Sequence, residues 1–277
     1  MKKVAISYLE KKSRYIRRQI IDITMKAGSG HIAPSFSCVE ILTFLYYAAT
    51  LRFNPKKPNW SKRDRFILSK GHAAIALYVV LADLGFFPCS YLKNFIQQGG
   101  CLCAHPENHI AGVEAYSGSL GHGLSIAAGL ALASKMDNKD YISTVLLGDG
   151  ECHEGAVWEA AMFSSQHKLN NLIAIIDYNG ASAIDFLPKY LTIEPLEEKW
   201  KAFGWEVITI DGHSFRELKR ALSGIRNRSS DKPLLVIALT VKGKGVSFME
   251  NNPIWHYRIP TEKEFNIINK ELRYGKF

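Results

Sequence analysis

The apolar run Thr144-Val145-Leu146-Leu147 ends in Gly148-Asp149-Gly150, and the run Leu172-Ile173-Ala174-Ile175-Ile176 ends in Asp177-Tyr178-Asn179. Both runs are short, continuous and bounded by turn residues, the pattern of strands buried on two faces. Between them, Glu154 to His167 has the length and composition of a helix. Strand, helix, strand is a βαβ unit, whose strands run parallel and side by side. Residues just past their carboxyl ends converge on the crevice where open α/β sheets bind ligands, so Asp149 and Asn179 are expected to share one site.

A carboxylate oxygen and an amide oxygen are hard ligands suited to Mg2+, or to Ca2+ or Mn2+ in its place. Two of them leave most of an octahedral shell to water or phosphate oxygens. Gly150 and Gly155 permit close backbone approach, and the helix that follows presents free N–H groups to an anion. A carboxylate about 4 Å from a phosphate charge repels it by roughly 4 kcal/mol at an effective dielectric near 20. Asp149 therefore belongs beside phosphate only with a divalent cation between them. The residues point to a metal-bridged diphosphate; the alternative is an ordinary strand-ending turn at Gly148-Asp149-Gly150.

Elsewhere the periodicity alternates in the same way. Helical spacing marks residues 4 to 26, with Ile16, Ile20 and Ile23 on one face, and residues 37 to 50. Phe66-Ile67-Leu68 reads as a strand, followed by Ser69-Lys70-Gly71-His72 and a helix from Ala73 to Leu84, and a small-residue helix from Gly121 to Ser134 precedes the Thr144 strand. After Asn179 come a helix over Leu196 to Phe203, a strand over Trp205 to Ile210, and a helix opened by the capping box Ser214-Phe215-Arg216-Glu217. A strand over Leu234 to Val241 and a helix capped by Thr261-Glu262-Lys263-Glu264 complete the series. The alternation predicts an α/β fold, doubly wound, with a mainly parallel sheet and helices on both faces, and a single domain over residues 1–277.

At 277 residues, 47% hydrophobic and 22% charged, the chain can bury one large core, and no stretch of eighteen apolar residues suggests a membrane span. The start lacks a sustained apolar segment, so a cytoplasmic protein is expected. Five cysteines (Cys38, Cys89, Cys101, Cys103, Cys152) in no paired C-x-x-C spacing argue against a disulfide framework and a structural zinc site. The net charge of +9 comes largely from dispersed lysines and arginines, which favours attraction of phosphorylated small molecules over nucleic acid.

Position sorts the nine histidines. His31 in Gly28-Ser29-Gly30-His31, His72 in Lys70-Gly71-His72-Ala73, His105 in Ala104-His105-Pro106-Glu107 and His256 in Trp255-His256 fall in or beside predicted loops. Loops at strand ends are where such a fold holds its chemistry. A cluster of imidazoles suits sugar hydroxyls and proton movement as a C–C bond breaks and re-forms. Gly121-His122-Gly123 is no dinucleotide motif and Lys242-Gly243-Lys244-Gly245 no Walker A loop; the latter is expected to be a mobile segment over the ligand.

Gly148-Asp149-Gly150 followed thirty residues later by Asn179 resembles the thiamine diphosphate signature. Ser29-Gly30-His31, Asp64 to Ala73, His105-Pro106-Glu107, Ser117-Gly118-Ser119-Leu120-Gly121 and Val241 to Gly245 look like amino-terminal motifs of the transketolase family, in family order over nearly the whole chain. The resemblance implies thiamine diphosphate and Mg2+ as cofactors, the metal held by Asp149, Asn179 and the backbone carbonyl of Ala181. It implies cofactor contacts from His72, Gly118, Leu120, Asp149, Gly150, Glu151 and Asn179, and a catalytic channel lined by His31, His72, His105 and His256. Glu154 matches a family acid in the network linking paired active sites; its alternative is a first-turn helix acid. His109, His122, His153, His167 and His213 have no such match and are read as structural. The implied reaction moves a two-carbon ketol unit from a ketose or ketose phosphate to an aldose.

A complete transketolase is similar to this chain followed by pyrimidine-binding and carboxyl-terminal domains, both absent here. The expectation is therefore the amino-terminal subunit of a split transketolase, inactive alone and completed by a separate carboxyl-terminal subunit in a heterotetramer, with a homodimer as an option for the isolated chain. Two departures lie beside presumed substrate histidines: Gly30-His31-Ile32-Ala33-Pro34-Ser35 where Gly-His-Ile-Gly-Gly-Ser is common, and Trp255-His256-Tyr257 where Trp-His-Gly is usual. They point to a specialised donor or acceptor. The rival readings are a thiamine-binding subunit of a 2-oxoacid dehydrogenase or a deoxyxylulose phosphate synthase, and a non-catalytic regulatory subunit that keeps the cofactor site.

Overall fold

Five strands, β1 (Arg65–Leu68), β2 (Ser143–Gly148), β3 (Leu172–Tyr178), β4 (Glu206–Asp211) and β5 (Leu234–Leu239), lie in the order β1-β2-β3-β5-β4, with every pairing parallel. The computed structural model describes residues 4–275; residues 1–3 and 276–277, at the two ends of the expected domain, lie outside the described residues. The helices are α1 (Ile6–Ala27), α2 (Ile32–Ser37), α3 (Val39–Tyr47), α4 (Ala74–Asp83), α5 (His122–Met136), α6 (Gly155–Gln166), α7 (Leu196–Ala202), α8 (Phe215–Leu222) and α9 (Glu262–Tyr274). Among the described residues no helix is long and apolar enough to cross a membrane.

Alternation along each strand feeds two cores. Phe66, Leu68, Leu146, Ile173, Ile175 and Val236 join α1, α3, α4, α8 and α9 in one cluster. Ile67, Val145, Leu147, Ala174, Ile176 and Leu235 join α5, α6 and α7 in the other. The sheet is thus covered on both faces, as its unbroken apolar strands require. The chain leaves β3 through α7, reaches β4 at the sheet edge, and returns through α8 on the opposite face to β5. That reversal opens a crevice at the carboxyl ends of the central strands.

Two segments differ from the sequence reading. The helix expected over residues 37 to 50 is the shorter α3, and an additional helix not read from the sequence, α2, precedes it across Cys38; α2 carries Pro34 in its first turn, where a missing N–H costs no helical bond. The last strand stops at Leu239, so Val241 already belongs to the loop beyond the sheet.

These helices are tied by a buried ion pair. Arg17 of α1 forks onto Glu40 of α3 at 2.5 and 2.7 Å, donates to the Phe36 carbonyl at 2.9 Å and reaches the Lys244 carbonyl at 3.0 Å. His213 Nδ1 meets the same carboxylate at 2.8 Å while its Nε2 accepts from the Val241 N–H at 2.9 Å. Burial alone would raise the Glu40 pKa, but the Arg17 guanidinium overrides it and holds the carboxyl down to about 2.

Arg17→Met leaves that carboxylate buried without its main partner and should cost about 3–5 kcal/mol in urea unfolding, most of it recovered when Glu40→Leu is added. Because the folded pKa lies below the ordinary 4.5, Glu40's contribution is full above 4.5 and declines as pH falls toward 2.

Candidate active site

Asp149 follows β2 directly, one register step beyond the Gly148–Asp177 pairing with β3. Its carboxylate is 3% exposed and staples the two strand ends. Oδ1 accepts from the Gly150 N–H at 2.7 Å, and Oδ2 from the N–H groups of Asn179 and Gly180 at 2.8 and 2.5 Å. Asn179 Oδ1 in turn accepts from the Ala181 N–H at 3.2 Å. Asp149, Asn179 and Ala181, with Gly150, Leu120 and Ser182, line a cavity of about 300 Å3.

Burial raises the Asp149 pKa to about 6; the charge of Asp177 adds to the rise, and the N–H groups of Gly150 and Gly180 oppose it. A carboxylate so short of compensation is one that a bound cation would satisfy. Among the described residues no group of three or more His, Cys, Asp or Glu forms an all-protein metal cage. Asp149, the Asn179 amide oxygen and the Ala181 carbonyl are a donor set suited to Mg2+ with its remaining positions taken by phosphate or water. The chain's residues therefore fit a metal-bridged diphosphate.

Under this cavity lies a second charge pair. Lys70, past β1, meets Asp177 of β3, and both are almost inaccessible to water. Lys70 Nζ also donates to the Pro34 carbonyl at 3.0 Å, and Asp177 accepts from the hydroxyls of Ser37, at 2.5 Å, and Thr240. Glu151 lines the cavity, yet its carboxylate is already engaged: it accepts from Ser69 Oγ, from the Gly121 N–H at 2.8 Å and from the Gly148 N–H at 3.1 Å. It braces three loops at once.

His72 and His256 line the other end of the cavity, and His31 and His105, from two further segments, pack into the same ring cluster. The His31 ring stands 5.7, 6.0 and 5.3 Å from those of His72, His105 and His256, and His72 stands 5.4 Å from His256. Gly118 sits under His105: a Cβ there would lie 3.1 Å from the ring. Burial lowers the His31 pKa to about 4 and that of His256 to about 3, helped by neighbouring rings and by Lys242 and Lys70. It holds His72 well below the ordinary value and lowers His105 as well. Lys242 Nζ lies 3.0 Å from His256 Nδ1. As an ammonium it can only donate, so this contact is a hydrogen bond in the tautomer that carries the His256 proton on Nε2.

Lys242 also donates to the Ser182 carbonyl at 2.5 Å and, weakly, to that of Ala181 at 3.4 Å. Burial, and then the charge of Lys70, lowers its pKa to about 8. The segment expected to be mobile is in fact anchored: Lys242 and Val246 are buried, and the Gly243 N–H donates to the Ala33 carbonyl at 3.1 Å.

Glu154 also lines the cavity, exposed at the amino end of α6 and making no side-chain capping bond. Of the other five histidines, four are elsewhere. His109 pairs with Glu107 at the surface, His122 begins α5, His167 packs on Phe163 and His213 belongs to the Glu40 network. His153 lines the cavity and contacts the Leu191 carbonyl at 2.9 Å. Sequence reasoning missed Lys70, Asp177 and Lys242 as site residues. The signal was present as charged residues at the ends of apolar strands.

With this geometry in place, the chain can be set beside known proteins. The family described as transketolase, thiamine diphosphate binding domain, matches residues 10–274. An apulose-4-phosphate transketolase subunit from Phocaeicola vulgatus is 40% identical over 96% of this chain and 94% of its own length. The 6-deoxy-6-sulfo-D-fructose transketolase subunit SqwG of a Clostridium species is 38% identical over 95% of this chain and 96% of its own. The crystal structure of transketolase from Campylobacter jejuni superposes with a TM-score of 0.92 at 33% identity, over 98% of this chain but only 43% of the longer one.

Since their folded pKa values lie near 4 and 3, His31 and His256 should be neutral at pH 7 and show no titration of their ring signals between pH 8 and 5.5 by NMR. Both values are below the ordinary 6.5, so the unfolded chain binds more protons below that point. Stability linked to these rings should fall as pH drops from 6.5 toward 4 and stay level above it.

Proposed function

The chain belongs to the transketolase family, and we propose that it is the amino-terminal, thiamine diphosphate-binding subunit of a split transketolase, moving a two-carbon ketol unit from a ketose donor to an aldose acceptor. The observation that carries this is one cavity lined by the Asp149–Asn179 pair and by His72 and His256, with the rings of His31 and His105 packed in the same cluster. Residues 1–277 would form the diphosphate-binding domain alone. Relatives named as subunits match over nearly their full length, whereas the solved transketolase is more than twice as long, which supports a separate carboxyl-terminal subunit.

Asp149, Asn179 and the Ala181 carbonyl would hold Mg2+ against the diphosphate, with Gly150 giving the backbone room to approach. Gly118 and Leu120 would contact the rest of the cofactor. Bound thiamine diphosphate supplies the nucleophilic carbon that takes up the two-carbon unit. Around it His31, His72, His105 and His256 offer sugar hydroxyls neutral imidazoles, each with one N–H donor and one ring-nitrogen acceptor. Rings with such depressed pKa values stay neutral and hold hydrogen bonds at pH 7, and take a proton only from a strongly acidic group. Glu154, exposed on α6, suits communication between paired sites better than contact with substrate.

Exposed Ile126 on α5 and Met162 and Phe163 on α6, helices whose amino ends adjoin the cavity, are apolar surface that a completing subunit would cover. A cytoplasmic heterotetramer with sites at subunit interfaces is the assembly this favours, with a homodimer for the isolated chain. The named relatives act on specialised sugars, and the departures at Ala33-Pro34 and Tyr257 fit a specialised sugar here too.

Purified with a carboxyl-terminal transketolase half, thiamine diphosphate and Mg2+, the chain should transfer two-carbon units from ketoses or hydroxypyruvate, while either half alone is inactive. Decarboxylation of 2-oxoacids without ketol transfer would overturn the reading in favour of a dehydrogenase subunit. In the same complex Asp149→Ala should weaken Mg2+-dependent cofactor binding by at least about 100-fold in calorimetry, the upper range for loss of a group that orients a metal.

A further inference from the structure

We propose that Tyr257 is a specificity-determining wall of this site, selecting by size against donors with a long polyol remainder beyond the transferred unit; the inference rests on the transferase reading above. Tyr257 directly follows His256 at the end of the tight turn Pro253–His256. Its ring lies 4.6 Å from that of His31, nearer than any of the other three histidines of the cluster. Its hydroxyl is bonded to Ser29 Oγ at 2.5 Å. The side chain therefore spans from the 253–257 segment to the loop between α1 and α2, across His31. It is 52% exposed, which puts it at the boundary between the ring cluster and solvent, the side toward which a donor held by those rings would extend its remainder.

Both ends of the span are anchored. Gly30 has φ +142°, and a Cβ there would come within 2.6 Å of Thr24 Cγ2, so the Ser29 loop is packed onto α1. On the other side Trp255 is buried against Phe248 and carries the Arg258 guanidinium 4.0 Å over its ring, and Arg258 is held by Glu264. The hydroxyls of Tyr257 and Ser29 are bonded to each other, so what the wall presents to a donor is bulk and an aromatic face. A wall of this kind discriminates single added carbons by about tenfold or more.

The test uses the complex with its completing subunit, thiamine diphosphate and Mg2+, and reads kcat/KM for hydroxypyruvate and for five- and seven-carbon ketose phosphates. Tyr257→Gly should raise the seven- to five-carbon ratio by about tenfold or more, while Tyr257→Phe, which keeps the ring and loses the Ser29 bond, should leave it within about threefold. Tyr257→Ala should shift the ratio in the same direction as glycine and serves where the glycine variant does not assemble. A common factor for all donors in the glycine and alanine variants would overturn the inference, as would a phenylalanine variant that matches glycine. Absence of transfer from every donor, hydroxypyruvate included, in the unsubstituted complex would instead overturn the transferase reading on which the inference rests.

Discussion

Lys70 and Asp177 meet at the carboxyl edge of the sheet with almost no access to water, and the electrostatics of the site follow from that pair. An ion pair so buried is tolerated only when its remaining hydrogen-bonding capacity is met. Here the Pro34 carbonyl and the hydroxyls of Ser37 and Thr240 meet it, drawing α2 and the end of β5 onto β1 and β3. The pair then acts at a distance. The Lys70 charge helps depress His31, His72, His256 and Lys242, while the Asp177 charge pushes Asp149 upward. Burial does most of this work, and with the pair's help one end of the cavity suits a cation and the other neutral imidazoles.

What the sequence made legible was local. Asp149 and Asn179 could be placed together because parallel strands in register fix where their carboxyl ends lie, and the Gly148–Asp177 pairing has that register. The strand and helix alternation was readable for the same reason, since each apolar run had to be covered on two faces. Clustering of the histidines was not readable in this way. His31, His72, His105 and His256 come from loops spread over most of the chain, and only the resemblance to a family suggested that they meet. Lys70, Asp177 and Lys242 were hidden for a related reason: a lone charged residue after a strand reads as solvated until its partner is known. The Lys242 segment, glycine-rich and basic, looked mobile because its tether, the Gly243 bond to Ala33, joins residues far apart in sequence.

The two departures acquire physical content from their neighbours. Pro34 lines the cavity from the first turn of α2, and as proline it has no N–H to offer a ligand there. Its carbonyl faces Lys70, so this position contributes an acceptor to the buried pair and no donor to the cavity. Tyr257 changes the opposite wall, laying an aromatic ring on His31. One change removes a polar donor and the other adds apolar bulk. Both act on shape and hydrogen bonding around the four clustered histidines and leave the Asp149–Asn179 arrangement untouched, which is how specificity can shift while the cofactor stays the same.

In the proposed complex, this division of labour limits what the second subunit must provide. Both faces of the sheet are already covered, and the two cores contain none of the exposed apolar side chains at Ile126, Met162 and Phe163. The depressed pKa values of His31 and His256 arise from burial and charges within this chain, so the neutral, partly dry ring cluster exists before a partner docks. The partner need not create that environment. It has to close the open side of the crevice and bring whatever group activates the cofactor, because the buried acids of this site are committed: Asp149 to the strand ends, Glu151 to three loops and Asp177 to Lys70.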